Sequence, residues 1–136
     1  MINIREIKLT PDDHAAALLE IVSHGTVGAT FLVGGDAERT NLEVVEAICR
    51  VLDEVRPRPH GSHRQAITFV SDRPGHDLRY AIDFSATEAA LGWSPSVRFE
   101  DGLRRTVNWY LANEAWWGPL VEGDAATRRG LGMGAK

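Results

Sequence analysis

The run Ile67-Thr-Phe-Val70 and the Pro74-Gly75 dipeptide that follows it set the first limit on how this chain can fold. The run is short, β-branched and aromatic, which predicts a strand. Proline fixes φ and glycine takes positive φ at no steric cost, so the chain must turn at this dipeptide. A long helix through the region is thereby excluded. The stretch from Ser71 to Asp83 carries Arg73 and His76 on that turn. A planar guanidinium fork and an imidazole donor suit an anion such as phosphate. The competing reading is a turn whose charges only keep it solvated, and arginine-bearing turns of that kind are common.

From the amino end, residues 1–9 alternate loosely and predict a short edge strand. Thr10-Pro11-Asp12-Asp13 marks a helix start: a threonine cap, proline in the first turn, and acids beside it. That helix is expected to run to His24 and stop at Gly25, burying a face of Ala15, Leu18, Leu19 and Val22. Ala29 to Val33 predicts a buried strand ending in the double glycine Gly34-Gly35. After a loop, Thr40 or Asn41 caps a second helix, with Leu42, Val45, Cys49 and Leu52 as its stripe to about Val55.

Residues 56–65 form a polar loop whose two prolines exclude helix and central strand. His60 and His63 have no helical frame there, so a metal site is not expected. A short helix over Ser85–Leu91, with a serine cap and Gly92 as its stop, precedes a longer one from Glu100 to Asn113. Trp109, Trp116 and Trp117 crowd its end and read as packing. Residues 122–136 read as a flexible tail and 1–121 as one domain. The fold class expected is a small mixed α/β domain of four to five helices with a few short, parallel strands.

A net charge of −4 argues against nonspecific nucleic-acid binding. No apolar run reaches the roughly 18 residues of a membrane span. No signal peptide is visible, and the single Cys49 fits a reducing cytoplasm, as a buried, inert thiol.

Several motifs together resemble one family. They are Asp13-His14-Ala15, Gly34-Gly35 followed by Asn41-Leu-Glu-Val-Val45, the Asp72–Asp83 run, Leu91-Gly-Trp93-Ser-Pro95, and Gly102 to Asn113. In order and spacing they resemble the C-terminal part of the dTDP-glucose 4,6-dehydratases, lyases of the extended short-chain dehydrogenase/reductase superfamily. The resemblance implies that Arg73, His76 and Asn41 contact a nucleotide sugar such as dTDP-glucose. An arginine upstream of the Asp-His-Ala helix completes the family's site. Ungapped alignment puts Glu6 at that position, with Arg5 beside it as the candidate.

The resemblance also implies what to look for and not find. The family binds NAD in a Rossmann half through a glycine-rich turn and uses a Tyr-x-x-x-Lys pair. Here the residues four positions after Tyr80 and Tyr110 are Phe84 and Glu114, and the only lysines are Lys8 and Lys136. Gly130, Gly132 and Gly134 follow no strand and open no helix, so they are no dinucleotide fingerprint. No cofactor is expected in this chain and no catalytic residue is assigned. Three readings follow: a weak nucleotide-sugar binder inactive alone, one subunit of a split dehydratase with a Rossmann partner chain, or a non-catalytic interaction remnant. A homodimer is an open expectation in the last.

Overall fold

Two capped helix starts organise what surrounds them. The computed structural model describes residues 5–7, 9–35, 37–70 and 81–122, with side chains for all but 5–7 and 120–122. Helix α1, Pro11–His24, starts where Thr10 accepts from the Asp13 amide and ends where the Gly25 amide donates to the Ile21 carbonyl. Helix α2, Asn41–Val55, begins in a capping box. The Glu43 amide donates to Thr40 Oγ1 at 3.1 Å, and the Thr40 amide donates to Glu43 Oε2 at 2.7 Å. Two otherwise orphaned donors are thereby satisfied at the helix start. Both helices sit where their caps predict.

The strands do not. Strand β1, Arg5–Ile7, pairs with β2, Glu38–Thr40, in the register Arg5 to Thr40, Glu6 to Arg39 and Ile7 to Glu38. β1 falls within the expected edge strand. β2 occupies what reads as a loop. The expected strands Ala29–Val33 and Ile67–Val70 form none, and the ladder among the described residues is antiparallel rather than parallel. Composition reports a readiness to pair, whereas a strand exists only where a neighbour completes the ladder. The small mixed α/β class nevertheless holds.

A one-turn 3-10 helix, His63–Ala66, forms inside the end of the stretch 56–65 that reads as loop, beyond its two prolines. Helix α3, Ser85–Leu91, ends at Gly92 in the left-handed region at φ 64°. Ser85 is its first residue and not its cap. Instead Asp83 Oδ1 accepts from the Ser85 amide at 3.0 Å, and bonding by Ser85 holds the Asp83 carboxyl below its usual range. Helix α4, Phe99–Ala112, lies one residue earlier than expected at each end. Helix α5, Glu114–Glu122, was not legible, because Pro119 lies inside it. Trp117 Nε1 donates to the Tyr110 carbonyl at 2.8 Å and ties α5 to α4. The tail 123–136 lies outside the described residues.

The core is small. Ala47, Cys49 and Val51 of α2 and Val107 of α4 are buried where those helices pack, and Trp93 is buried after α3. Burial, then the nearby Asp53 and Glu46, pushes the Cys49 thiol up, as befits an inert cysteine. The expected buried face of α1 is the main correction. Leu18, Leu19 and Val22 are 49%, 68% and 85% exposed, and Ala17 is the buried residue instead. The periodicity correctly marks an apolar stripe. It cannot tell whether anything covers that stripe.

Two carboxylates fasten the elements together. Asp13, 4% exposed, crosses to the segment between α3 and α4. Its Oδ1 accepts from the Ser96 amide at 2.9 Å and Ser96 Oγ at 2.7 Å. Its Oδ2 accepts from the Val97 amide at 3.2 Å and Thr10 Oγ1 at 2.8 Å. Asp53, near the end of α2, accepts from the His63 amide at 2.8 Å, Ser62 Oγ at 2.5 Å and His63 Nδ1 at 2.6 Å.

Those bonds, led by the His63 amide, bring the Asp53 carboxyl down to about 2. A depressed carboxyl stabilises the fold above its unfolded value near 4 and loses that contribution as pH falls toward the folded value. Asp53→Asn should therefore lower the melting temperature at pH 6, and the gap to wild type should close between pH 4 and about 2. A gap unchanged across that range in thermal melts would show that the charge plays no part.

Candidate functional site

The antiparallel ladder decides which candidates meet. Arg5 stands opposite Thr40, and Asn41 follows directly as the exposed first residue of α2. The backbones of Arg5 and Asn41 are therefore one register step apart. Glu6 pairs with Arg39. Arg73 and His76 lie outside the described residues.

The double glycine has a packing role. A Cβ added at Gly34 would lie 3.2 Å from Ile82 Cβ, so a side chain there would crowd the segment leaving the turn. Both glycines are buried. They also precede β2 and open no helix, so they do not match a dinucleotide pyrophosphate cradle. The start of α2 is likewise occupied, by the Thr40–Glu43 capping box and its carboxylate. An anion near Asn41 must then be held by side chains more than by helix amides.

Beside β2 lies a hollow of about 450 Å³, lined by Gly35, Ala37, Arg39, Phe84, Ser96 and Phe99 among others. Arg39 is anchored there. Its guanidinium sits 5.5 Å from the Phe99 ring centroid, donates to Glu100 Oε1 at 3.4 Å and to the Glu38 carbonyl at 3.2 Å. Glu100 is held below its usual carboxyl range, first by its own backbone amide and then by Arg39. Sequence reasoning missed Arg39, because a three-residue strand leaves no periodicity to find.

His63 Nδ1 is bound to Asp53, and among the described residues no group of three or more His, Cys, Asp or Glu side chains is placed to hold a metal ion. Asp13 and its cap Thr10 are likewise fully engaged in structure. Asn41 is exposed as the first residue of α2, at the end of the β1–β2 ladder.

The comparison with known sequences decides the family. The model described as GDP-mannose 4,6 dehydratase matches residues 9–106. The chain belongs to this family. Within it, the chain is 49% identical to a dTDP-glucose 4,6-dehydratase of Escherichia coli over 125 residues, covering 90% of this chain and 34% of that protein. It is 48% identical over 126 residues to one of Neisseria meningitidis serogroup B, covering 90% and 35%.

Solved structures of dTDP-glucose 4,6-dehydratases agree. One from Bacillus anthracis in complex with NAD superposes with a TM-score of 0.75 at 37% identity, covering 88% of this chain and 35% of that one. One from Streptomyces venezuelae with NAD and TYD bound gives 0.76 at 35% identity, covering 88% and 34%. This 4,6-dehydratase family chain thus spans about a third of the length of the curated relatives it matches. Among the described residues no helix is long and apolar enough to cross a membrane.

Proposed function

We propose that this chain is a nucleotide-sugar-binding segment of the dTDP-glucose 4,6-dehydratase type, which binds its ligand weakly and does not catalyse by itself. The observation that carries the reading is the likeness to dTDP-glucose 4,6-dehydratases over 90% of the chain, with Asn41, Arg73 and His76 standing in the matching motifs. Arg73 and His76 grip the diphosphate, Asn41 orients the nucleotide, and Arg5 contributes from β1. A site open on one side keeps water around its charges, which weakens each contact. Hydride transfer needs a nicotinamide held against the sugar, and these four residues cannot hold one.

Titration of the chain with dTDP-glucose by NMR should give a Kd of roughly 0.1–1 mM, worth about 4–5.5 kcal/mol. Arg73→Ala removes a charge-assisted fork and should weaken binding by about tenfold or more. No spectral change at millimolar ligand would sink the reading. Adding NAD with dTDP-glucose should yield no 4-keto product from the chain alone.

A further inference from the structure

The aromatic residues where α4 meets α5, which the sequence marks as packing, are only half covered. Trp109 and Tyr110 in the last turn of α4 are 45% and 50% exposed, and Trp116 in α5 is 64% exposed. A lone surface aromatic needs no explanation, but three in contact do. Trp109 meets Tyr110 with ring centroids 5.2 Å apart and planes at 90°, and it meets Trp116 at 5.5 Å and 73°. Such rings stand as the walls of a corner and not as a stack.

Hydrogen bonds to the backbone hold the corner. Trp117 Nε1 donates to the Tyr110 carbonyl at 2.8 Å, and its ring lies 6.3 Å from that of Tyr110. Asn113 Nδ2 donates to the Trp109 carbonyl at 2.8 Å, and the Trp116 amide donates to the Asn113 carbonyl at 3.0 Å. Walls set in this way need little ordering when a ligand arrives.

The class of ligand follows from charge. The face of an aromatic ring is the negative side of its quadrupole and attracts a cation within about 6 Å of the centroid. No residue from Thr106 to Glu122 is basic, and Glu114 opens α5 between Tyr110 and Trp116. Glu114 pairs with Arg56 at 3.8 Å, both side chains being more than half exposed. A pair that open is weak, so the carboxylate can serve another cation. Among the described residues the cation held over an aromatic ring is Arg39, over Phe99, and none is held over these rings. A nucleobase could also stack here, but it would bring phosphate to a chain of net charge −4. Among cations, a quaternary ammonium has no N–H donors to leave unpaired, which suits walls made only of rings.

We infer that Trp109, Tyr110 and Trp116, with Glu114 beside them in the chain, form a binding site for a small soluble quaternary ammonium compound of the choline type. The site contains none of the residues assigned to the nucleotide sugar, so failure of the sugar titration leaves it standing.

The test titrates the full chain with choline and follows the indole Nε1–H signals of Trp109 and Trp116 by NMR. The neutral isostere of choline, with carbon in place of nitrogen, is titrated in parallel. Choline should half-saturate the site at roughly 1–10 mM. The isostere should bind at least tenfold more weakly. Trp116→Ala should abolish the choline shift at Trp109, Glu114→Gln should weaken binding, and Arg56→Ala, which frees the carboxylate, should tighten it. All three substituted side chains are more than half exposed, so circular dichroism of the variants should match wild type. Equal binding of the isostere overturns the inference, because charge would then play no part. So does an absence of shifts with choline, or an affinity that Trp116→Ala leaves unchanged.

Discussion

Asp13→Ala should destabilise the chain by about 3–5 kcal/mol, read as a lower midpoint in urea at unchanged slope. The carboxylate is 4% exposed and accepts four hydrogen bonds, three of them from Ser96 and Val97. Alanine would leave two backbone amides facing a void, and an unmet buried donor costs about 1–3 kcal/mol. Asparagine should rescue little. Every partner of the carboxylate is a donor, and an amide offers one acceptor oxygen where two are used. Ser96→Ala, which removes the hydroxyl alone, should cost only about 1 kcal/mol. A loss below about 1 kcal/mol for Asp13→Ala would show that the segment finds other partners.

The same residue has a pH signature. Burial raises the Asp13 pKa, but bonds from Ser96, Thr10 and Val97 outweigh it and the net shift is downward. Its contribution is therefore complete above the unfolded value near 4 and lost as pH falls through the lower folded value. Asp13→Asn should flatten that part of the acid limb.

Trp93→Ala should cost about 3–5 kcal/mol. Trp93 is 7% exposed, the largest side chain among the buried core residues described. Its ring meets Phe84 edge-on, with centroids 6.2 Å apart and planes at 70°. Phe84 precedes α3 and Trp93 follows Gly92 at its end, so the pair closes over a helix too short to hold itself. Trp93→Phe keeps an aromatic partner and should cost less than half as much. Thermal melts of the two variants separate the outcomes, and equal losses would mean that the ring contact contributes nothing beyond size.

What the sequence disclosed depended on the range over which each signal acts. Thr10-Pro11 and Thr40 mark helix starts within four residues, and both helices begin there. Asp13 looks like an ordinary first-turn acid, because Ser96 is too distant in sequence to show as its partner. The partner of His63, Asp53 near the end of α2, is hidden for the same reason. Ala29–Val33 has the composition of a strand, but pairing belongs to two segments and cannot be read from one. The family motifs single out Asn41, Arg73 and His76 as candidates, where chemistry alone favoured a solvated turn at Arg73 and His76.

The reach of the Asp13 clasp also bears on how the chain is made. Its carboxylate and its Ser96 partner are 83 residues apart. At the usual 5–20 residues per second, a ribosome needs on the order of ten seconds to supply the second half of that contact. Throughout that interval α1 carries a charge whose buried partners have not been synthesised. Helix α1 can form early, but it cannot settle into its final place until Ser96 and Val97 have been synthesised.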